Sequence, residues 1–218
     1  MYVFLSYQTN DKAVAGKVRE LLERLGIPSF LAHEDIDVSA KWRAEILKKL
    51  RKTDIFIPIL SQNFYRSVWC QHESGIAAFR KMTIIPLSID GSVPQGLLSQ
   101  FQSIKIDPDV PDRRSLFPGL AKHDVSFLID KIIGIIHKSP NYRQAEANFE
   151  LILPYLDTAT DGQITELLRV STDNNQVCNA GLCAQKYLPP LLKSHGHLMA
   201  PEERKMLEDT LKLYAPSP

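Results

Sequence analysis

Cysteine is scarce in this chain of 218 residues, with three in all, Cys70, Cys178 and Cys183. An odd count without regular spacing excludes a disulfide framework, and reduced thiols in a cytoplasmic protein are the expectation. Net charge is nearly absent: 26 Lys and Arg stand against 25 Asp and Glu, for a formal charge of +1. That balance removes the electrostatic footprint of a protein that binds nucleic acid or a membrane surface. No apolar run approaches the roughly 20 residues that cross a bilayer. The apolar opening Met1–Ser6 is far too short for a secretory signal. Glycine is sparse, ten residues in all, and no glycine-rich loop of P-loop or dinucleotide type occurs. Internal repeats and low-complexity tracts are also lacking.

What is present is an alternation of short apolar runs with helical periodicities. Val3-Phe4-Leu5 reads as a strand buried on both faces. Ala13, Val14, Val18, Leu21, Leu22 and Leu25 follow at helical spacing, and Gly26 sits where a helix ends. Ile27–Leu31 is a second strand. His33–Ser39, with Glu34, Asp35 and Asp37, reads as an acidic loop, and Ser39 as the cap of a helix carrying Trp42, Ile46, Leu47 and Leu50. Ile55–Leu60 is a third strand whose Pro58 calls for an edge or a strand end. Met82–Ile89 is a fourth strand and Ser103–Ile106 a short fifth. Phe127 to Ile136 forms an apolar helix expected to pack on the sheet. The pattern predicts an α/β domain over residues 1–138, a flavodoxin-like parallel sheet of about five strands with helices on both faces. Pro140 marks a break. Residues 141–218 show helical patterns only and are expected to form a small all-α module.

The stretch with most chemical content is Ser61–Phe79. Trp69, Glu73 and Ala77 are four apart and share a helical face. A helix opening near Ser67 places Glu73 in its second turn, where the helix dipole favours its ionised form. In sheets of this type, ligands bind beyond the carboxyl ends of the strands. That rim collects Tyr7 and Gln8 after the first strand, Phe30 and Leu31 at the end of the second, the His33–Ser39 loop and the start of the Glu73 helix.

Residues 1–138 resemble a Toll/interleukin-1 receptor (TIR) domain. The resemblance rests on Val3-Phe4-Leu5-Ser6-Tyr7, on the acidic loop leading to Trp42, on Ile55–Leu60 followed by Ser61-Gln62-Asn63-Phe64, and on Ser67-Val68-Trp69-Cys70-Gln71-His72-Glu73. Ser39-Ala40-Lys41 stands where the family often has glycine before the tryptophan. The resemblance implies an NAD+-cleaving enzyme of the kind found in prokaryotic immune, anti-phage signalling, with Glu73 as its catalytic carboxylate. NAD+ is then a substrate, and no cofactor is implied. The resemblance also implies self-association through TIR contacts and a partner effector that senses the nucleotide product. The family contains non-catalytic adaptors too, and a scaffold acting by self-association is the competing reading. A receiver-type reading is weaker, because no aspartate follows the third strand.

The other candidates each carry two readings. Trp69 either stacks on nicotinamide or adenine, or packs in the core. Trp42 is a packing anchor or a stacking plate. Tyr7 and Gln8 line the ligand or satisfy their own loop. Phe30 belongs to the core or to the site. Ser67 caps the helix or touches substrate. Cys70 and His72 are two apart on a helix and point apart, which argues for a buried thiol, not a nucleophilic dyad. Cys178, Cys183, His195 and His197 do not have the spacing of a zinc site, so no metal is expected.

Overall fold

The computed structural model describes residues 1–31 and 42–214, with the side chains of Trp42 and Arg43 outside that description. The His33–Ser39 loop and the predicted Ser39 cap therefore lie outside the described residues.

Among the described residues six short strands form the sheet: β1 (Val3–Ser6), β2 (Ser29–Leu31), β3 (Ile55–Leu60), β4 (Thr83–Ile84), β5 (Leu87–Ser88) and β6 (Ile104–Lys105). Every pairing is parallel. The order is β2-β1-β3-β5-β6, with β4 also on β3. Strands β4 and β5 take successive registers on β3, Ile55 to Thr83 and Phe56 to Ile84, then Ile59 to Leu87 and Leu60 to Ser88. They are thus one strand position interrupted at Ile85-Pro86. This gives the flavodoxin-type order, with the topological switch between β1 and β3.

The same interruption corrects the expectation for Pro58. The proline lies neither at an edge nor at an end, since β3 is internal and Pro58 stands opposite Ser6 of β1. The carbonyls of Phe56 and Leu60 accept from Ile85 N (3.0 Å) and Ile89 N (3.2 Å) on the far side of β3. Alternation along a strand turns the nitrogen of Pro58 to that same side, where the neighbouring strand breaks at Pro86. Its missing N–H therefore leaves no carbonyl of a continuous neighbour unserved.

Around the sheet lie α1 (Lys12–Arg24), α2 (Trp42–Lys52), α3 (Gln62–Arg66) and α4 (Val68–Phe79). Phe4, Phe30 and Phe56 stand side by side across β1, β2 and β3, with ring centroids 5.3 and 5.9 Å apart. Ile46 and Leu50 of α2, with Cys70 and Ala77 of α4, belong to the same buried cluster. Burying several such side chains at about 1.5–3 kcal/mol each is what holds these helices to the sheet.

The next helix, α5 (Phe117–His137), is broken at Asp124, whose φ of −156° and ψ of 95° are not helical. Asp124 Oδ1 accepts from Phe127 N at 2.9 Å, as an N-cap does, so the helix restarts there. The chain divides into two compact units at this kink, Met1–His123 and Asp124–Pro218. The boundary read from Pro140 falls one helix later; proline is the louder signal in sequence, whereas Asp124 sits quietly at the start of an apolar run.

The second unit holds α6 (Tyr142–Phe149), α7 (Asp161–Asp173), α8 (Asn175–Cys178), α9 (Leu188–His195) and α10 (Pro201–Lys212), and among its described residues no strand. Thr160 and Gln163 form a reciprocal capping box at the start of α7. The Gln163 amide also donates to Asp130 Oδ1 (2.7 Å) and to Ser126. Asn148 donates to Ser139 Oγ (2.9 Å), and Phe149 stacks on Tyr187 with centroids 5.3 Å apart. The predicted helix Tyr142–Tyr155 ends earlier, at Phe149, and a tighter turn, Leu153–Thr158, takes over at Pro154.

Candidate functional site

The carboxyl end of β1 and the buried face of α4 meet at one hydrogen bond. Ser6, the last residue of β1, donates through Oγ to Glu73 Oε2 at 2.5 Å. Both side chains are buried, and Glu73 is 3 % exposed. Among the described residues Ser6 is the hydrogen-bond partner of this carboxyl group. A carboxylate accepts about four hydrogen bonds, so most of its capacity remains.

Local sequence explains how Glu73 arrives there. Ser61 caps α3 by accepting from Phe64 N at 3.0 Å. Ser67 then ends α3 and starts α4, accepting from Cys70 N at 3.3 Å. The cap sets the phase of α4, so that Cys70, Glu73, Ser74 and Ala77 turn inward. Of its two readings, Ser67 therefore takes the cap. Its contact with a ligand stays a proposal.

Electrostatics depart from expectation. Near a helix N-terminus the dipole favours the ionised form by typically about 0.3–1 kcal/mol, and the effect fades beyond the first turn. Burial outweighs that: it pushes the Glu73 carboxyl from its ordinary 4.5 up to about 7, with the Ser6 hydroxyl pulling it partly back. The group is poised to change charge near neutrality. Cys70 is pushed up to about 11, chiefly by burial, so it is a packed thiol and not a thiolate. The three cysteines are buried and free.

The remaining candidates fall in different places. Tyr7 is fully buried at the end of β1. Gln8 is half-buried, and its Oε1 accepts from Asn10 N at 2.6 Å, so it caps its own loop. Phe30 lies in the aromatic row of the core with Lys49 Nζ 5.1 Å from its ring centre, and Leu31 is fully buried beside it. Trp42 opens α2, its side chain outside the described residues. Trp69 shares a face with Glu73 only in part. Its indole meets His72 edge-on at 5.7 Å and lines an outer groove of about 530 Å³ with Leu47, Ile76 and Phe79. The carboxyl occupies the inner half of that face.

Sequence reasoning missed Ser6 as a partner of Glu73, although Ser6 stood inside the quoted opening motif. It also missed a second buried polar set on the rim. Ser61 Oγ donates to Asp11 Oδ2 at 2.6 Å and Asn63 Nδ2 to Oδ1 at 3.4 Å, with Asp11 buried. This ties the loop after β1 to the start of α3, next to the Ser6–Glu73 pair. A serine at the last position of a buried strand is the one signal that pointed to either set.

No helix among the described residues is long and apolar enough to cross a membrane. A family model described as TIR domain matches residues 3–116, more than half of the chain. No curated protein matches it significantly.

Proposed function

Because the chain belongs to the TIR domain family over residues 3–116, we propose that it cleaves the nicotinamide–ribose bond of NAD+, as a glycohydrolase or an ADP-ribosyl cyclase. The observation that carries this reading is the buried carboxyl of Glu73, hydrogen-bonded to Ser6 at the carboxyl end of the sheet.

The leaving group is a pyridinium. When the bond between ribose C1′ and the ring nitrogen breaks, its electron pair neutralises the cation, so no general acid is needed. Ordinary glycosidases need a second carboxyl for that step. One carboxylate suffices to bind the ribose hydroxyls and stabilise the oxocarbenium-like transition state, and a dry setting strengthens that interaction. Water then adds to C1′ and loses its proton to Glu73 or to solvent, or a group within the substrate adds instead and closes a ring. Glu73 must be ionised to act, so activity rises as pH passes about 7. Tyr7, Gln8, Phe30, Leu31, Trp42, Ser67, Trp69 and Cys70 are the proposed surroundings of the substrate. NAD+ is consumed, and no cofactor enters.

Glu73 is 3 % exposed, so substrate reaches it only when part of the rim moves. Self-association at the acidic His33–Ser39 loop is the proposed trigger, with a cytoplasmic anti-phage role and an effector that reads the nucleotide product. Nicotinamide release from NAD+ by purified protein, with Glu73→Gln in parallel, tests the reading; a folded variant that keeps most activity overturns it.

One observation favours a second reading, a non-catalytic scaffold. The groove at Trp69 is apolar, and Phe79 at its edge is 89 % exposed, as on surfaces that pair with another protein. A protein that associates but releases no nicotinamide at any concentration fits this reading and not the first.

A further inference from the structure

One cavity lies wholly in the second unit. It measures about 610 Å³ and opens between the segment Cys183–Tyr187, α9 and α10. That volume is within the range of small-ligand sites. Its floor is apolar, formed by Leu192 and Leu211. Its rim is cationic: Lys193, Arg204 and Lys212 face it with His197, against one acid, Glu208. Arg204 pairs with Glu208 at 2.7 Å, and Lys212 with Asp209 at 2.8 Å. Among the described residues Lys193 has no carboxylate partner. Tyr214 closes one end of the cavity, its hydroxyl donating to Asn179 Oδ1 at 3.2 Å.

Charges on an exposed helix are usually just solvated, but the backbone here adds a second, independent sign. Cys183–Tyr187 is a π-helical turn, with Leu188 N donating to Cys183 O, five residues back. Such turns are rare, and many mark functional sites. The two residues that follow Leu188 are Pro189 and Pro190, which bring no N–H. They occupy both positions that could serve the Gln185 carbonyl, in an α or a π ladder. Gln185 lines the cavity. The site therefore combines cations, an apolar floor and a backbone acceptor that the helix does not saturate.

We propose that this cavity binds a phosphorylated nucleoside. The phosphate meets Lys193, Arg204 and Lys212, the base lies on Leu192 and Leu211 beside the Tyr214 ring, and an amino group on the base supplies the donor that Gln185 lacks. The lining residues belong to the second unit and Glu73 to the first, and the proposal does not depend on NAD+ cleavage.

The test uses the full chain. ADP, adenosine and inorganic pyrophosphate are titrated calorimetrically, and hydrogen exchange maps the bound state. The expected result is saturable one-to-one binding of ADP, tighter than adenosine or pyrophosphate alone, with exchange slowed across residues 183–214. Lys193→Glu with Lys212→Glu, both exposed and checked for an unchanged melting curve, weakens ADP binding roughly tenfold to a hundredfold. Leu192→Gln weakens ADP and leaves pyrophosphate alone. Three results overturn the proposal: no saturable ADP binding, protection confined to residues 62–79, or an affinity untouched by the double charge reversal. Pyrophosphate binding as tightly as ADP overturns the nucleoside class.

Discussion

Glu73 in the first unit and Arg169 in the second are both held by short hydrogen bonds, yet they do opposite things. Among the described residues Glu73 has one bond, from Ser6, and it sits 3 % exposed. Arg169 has three, two to Glu166 and one to Asp173, at 2.6–2.7 Å, with its side chain 39 % exposed. The buried group is held uneasily: burial raises its pKa toward neutrality, so its charge is costly and available for use. The exposed group is doubly satisfied but bathed in water, which screens each pairing. The number of contacts therefore says little about which charge matters; the dielectric around it says more. The predictions below separate the two cases, beginning with the largest effect.

If the chain cleaves NAD+ as proposed, Glu73→Gln is expected to lower nicotinamide release by about a thousandfold or more, since glutamine keeps the shape and removes the charge proposed to meet the oxocarbenium ion. Product chromatography from NAD+ checks this, with circular dichroism to establish the fold. In the wild type, release is expected to climb with pH and level off above about 7, the value to which burial raises Glu73. A flat profile between pH 5 and 9 would assign the carboxylate no part in the rate.

Stability should move the other way. The folded state keeps the Glu73 proton up to about pH 7, whereas the unfolded chain loses it near 4.5. Between those values the folded state binds more protons, so its stability falls as pH rises. Below pH 4.5 this loss is absent, and above 7 it is complete, on the order of 3 kcal/mol. Glu73→Gln removes that dependence. Denaturant unfolding is expected to find the variant more stable than wild type at pH 8 and close to it at pH 4.5. A variant that is less stable at pH 8 would mean the carboxylate is there for the fold.

Ser6→Ala comes next. It deletes the hydroxyl that favours the ionised carboxylate, so the pH profile shifts further upward and activity at pH 7 falls by about tenfold or less. Activity at pH 9 recovers much of that loss if Ser6 acts through the Glu73 proton, and recovers none if it only packs.

The two cases also differ in how far they could be read from sequence. The helix that carries Glu73 was legible because the Trp-Cys-x-x-Glu spacing and the capping serine, Ser67, are local. The parallel sheet flanked by helices followed from the alternation of apolar runs and helices. What escaped was non-local. Ser6 reaches Glu73, and Ser61 reaches Asp11, across stretches that no helical or strand period connects. The placing of Pro58 needed Pro86 on the neighbouring strand, and neither proline alone reveals it. The dipole argument for Glu73 had the right sign and the wrong size, since burial depends on the fold around it. Asp124 and the Pro189-Pro190 pair were visible as residues, but their effects, a restarted helix and a π turn, depend on the helices they interrupt.

The smallest expected effect belongs to Arg169. Its pKa is held above the usual arginine range, mainly by the paired Glu166, a sign of favourable geometry. Geometry is not stability, however. Glu166 and Asp173 lie three residues before and four after it on α7, a spacing worth a few tenths of a kcal/mol per pair in helices. Exposure lets water and salt replace each bond as it breaks. Arg169→Ala is therefore expected to change the unfolding free energy by less than about 1 kcal/mol, and the difference should shrink further in 1 M salt. Alanine's own preference for helix offsets part of the loss. Chemical denaturation of the two proteins, at low and high salt, measures it. A loss of several kcal/mol that persists in high salt would show that this surface network is a structural element in its own right, and that the contrast with Glu73 is one of position and not of dielectric.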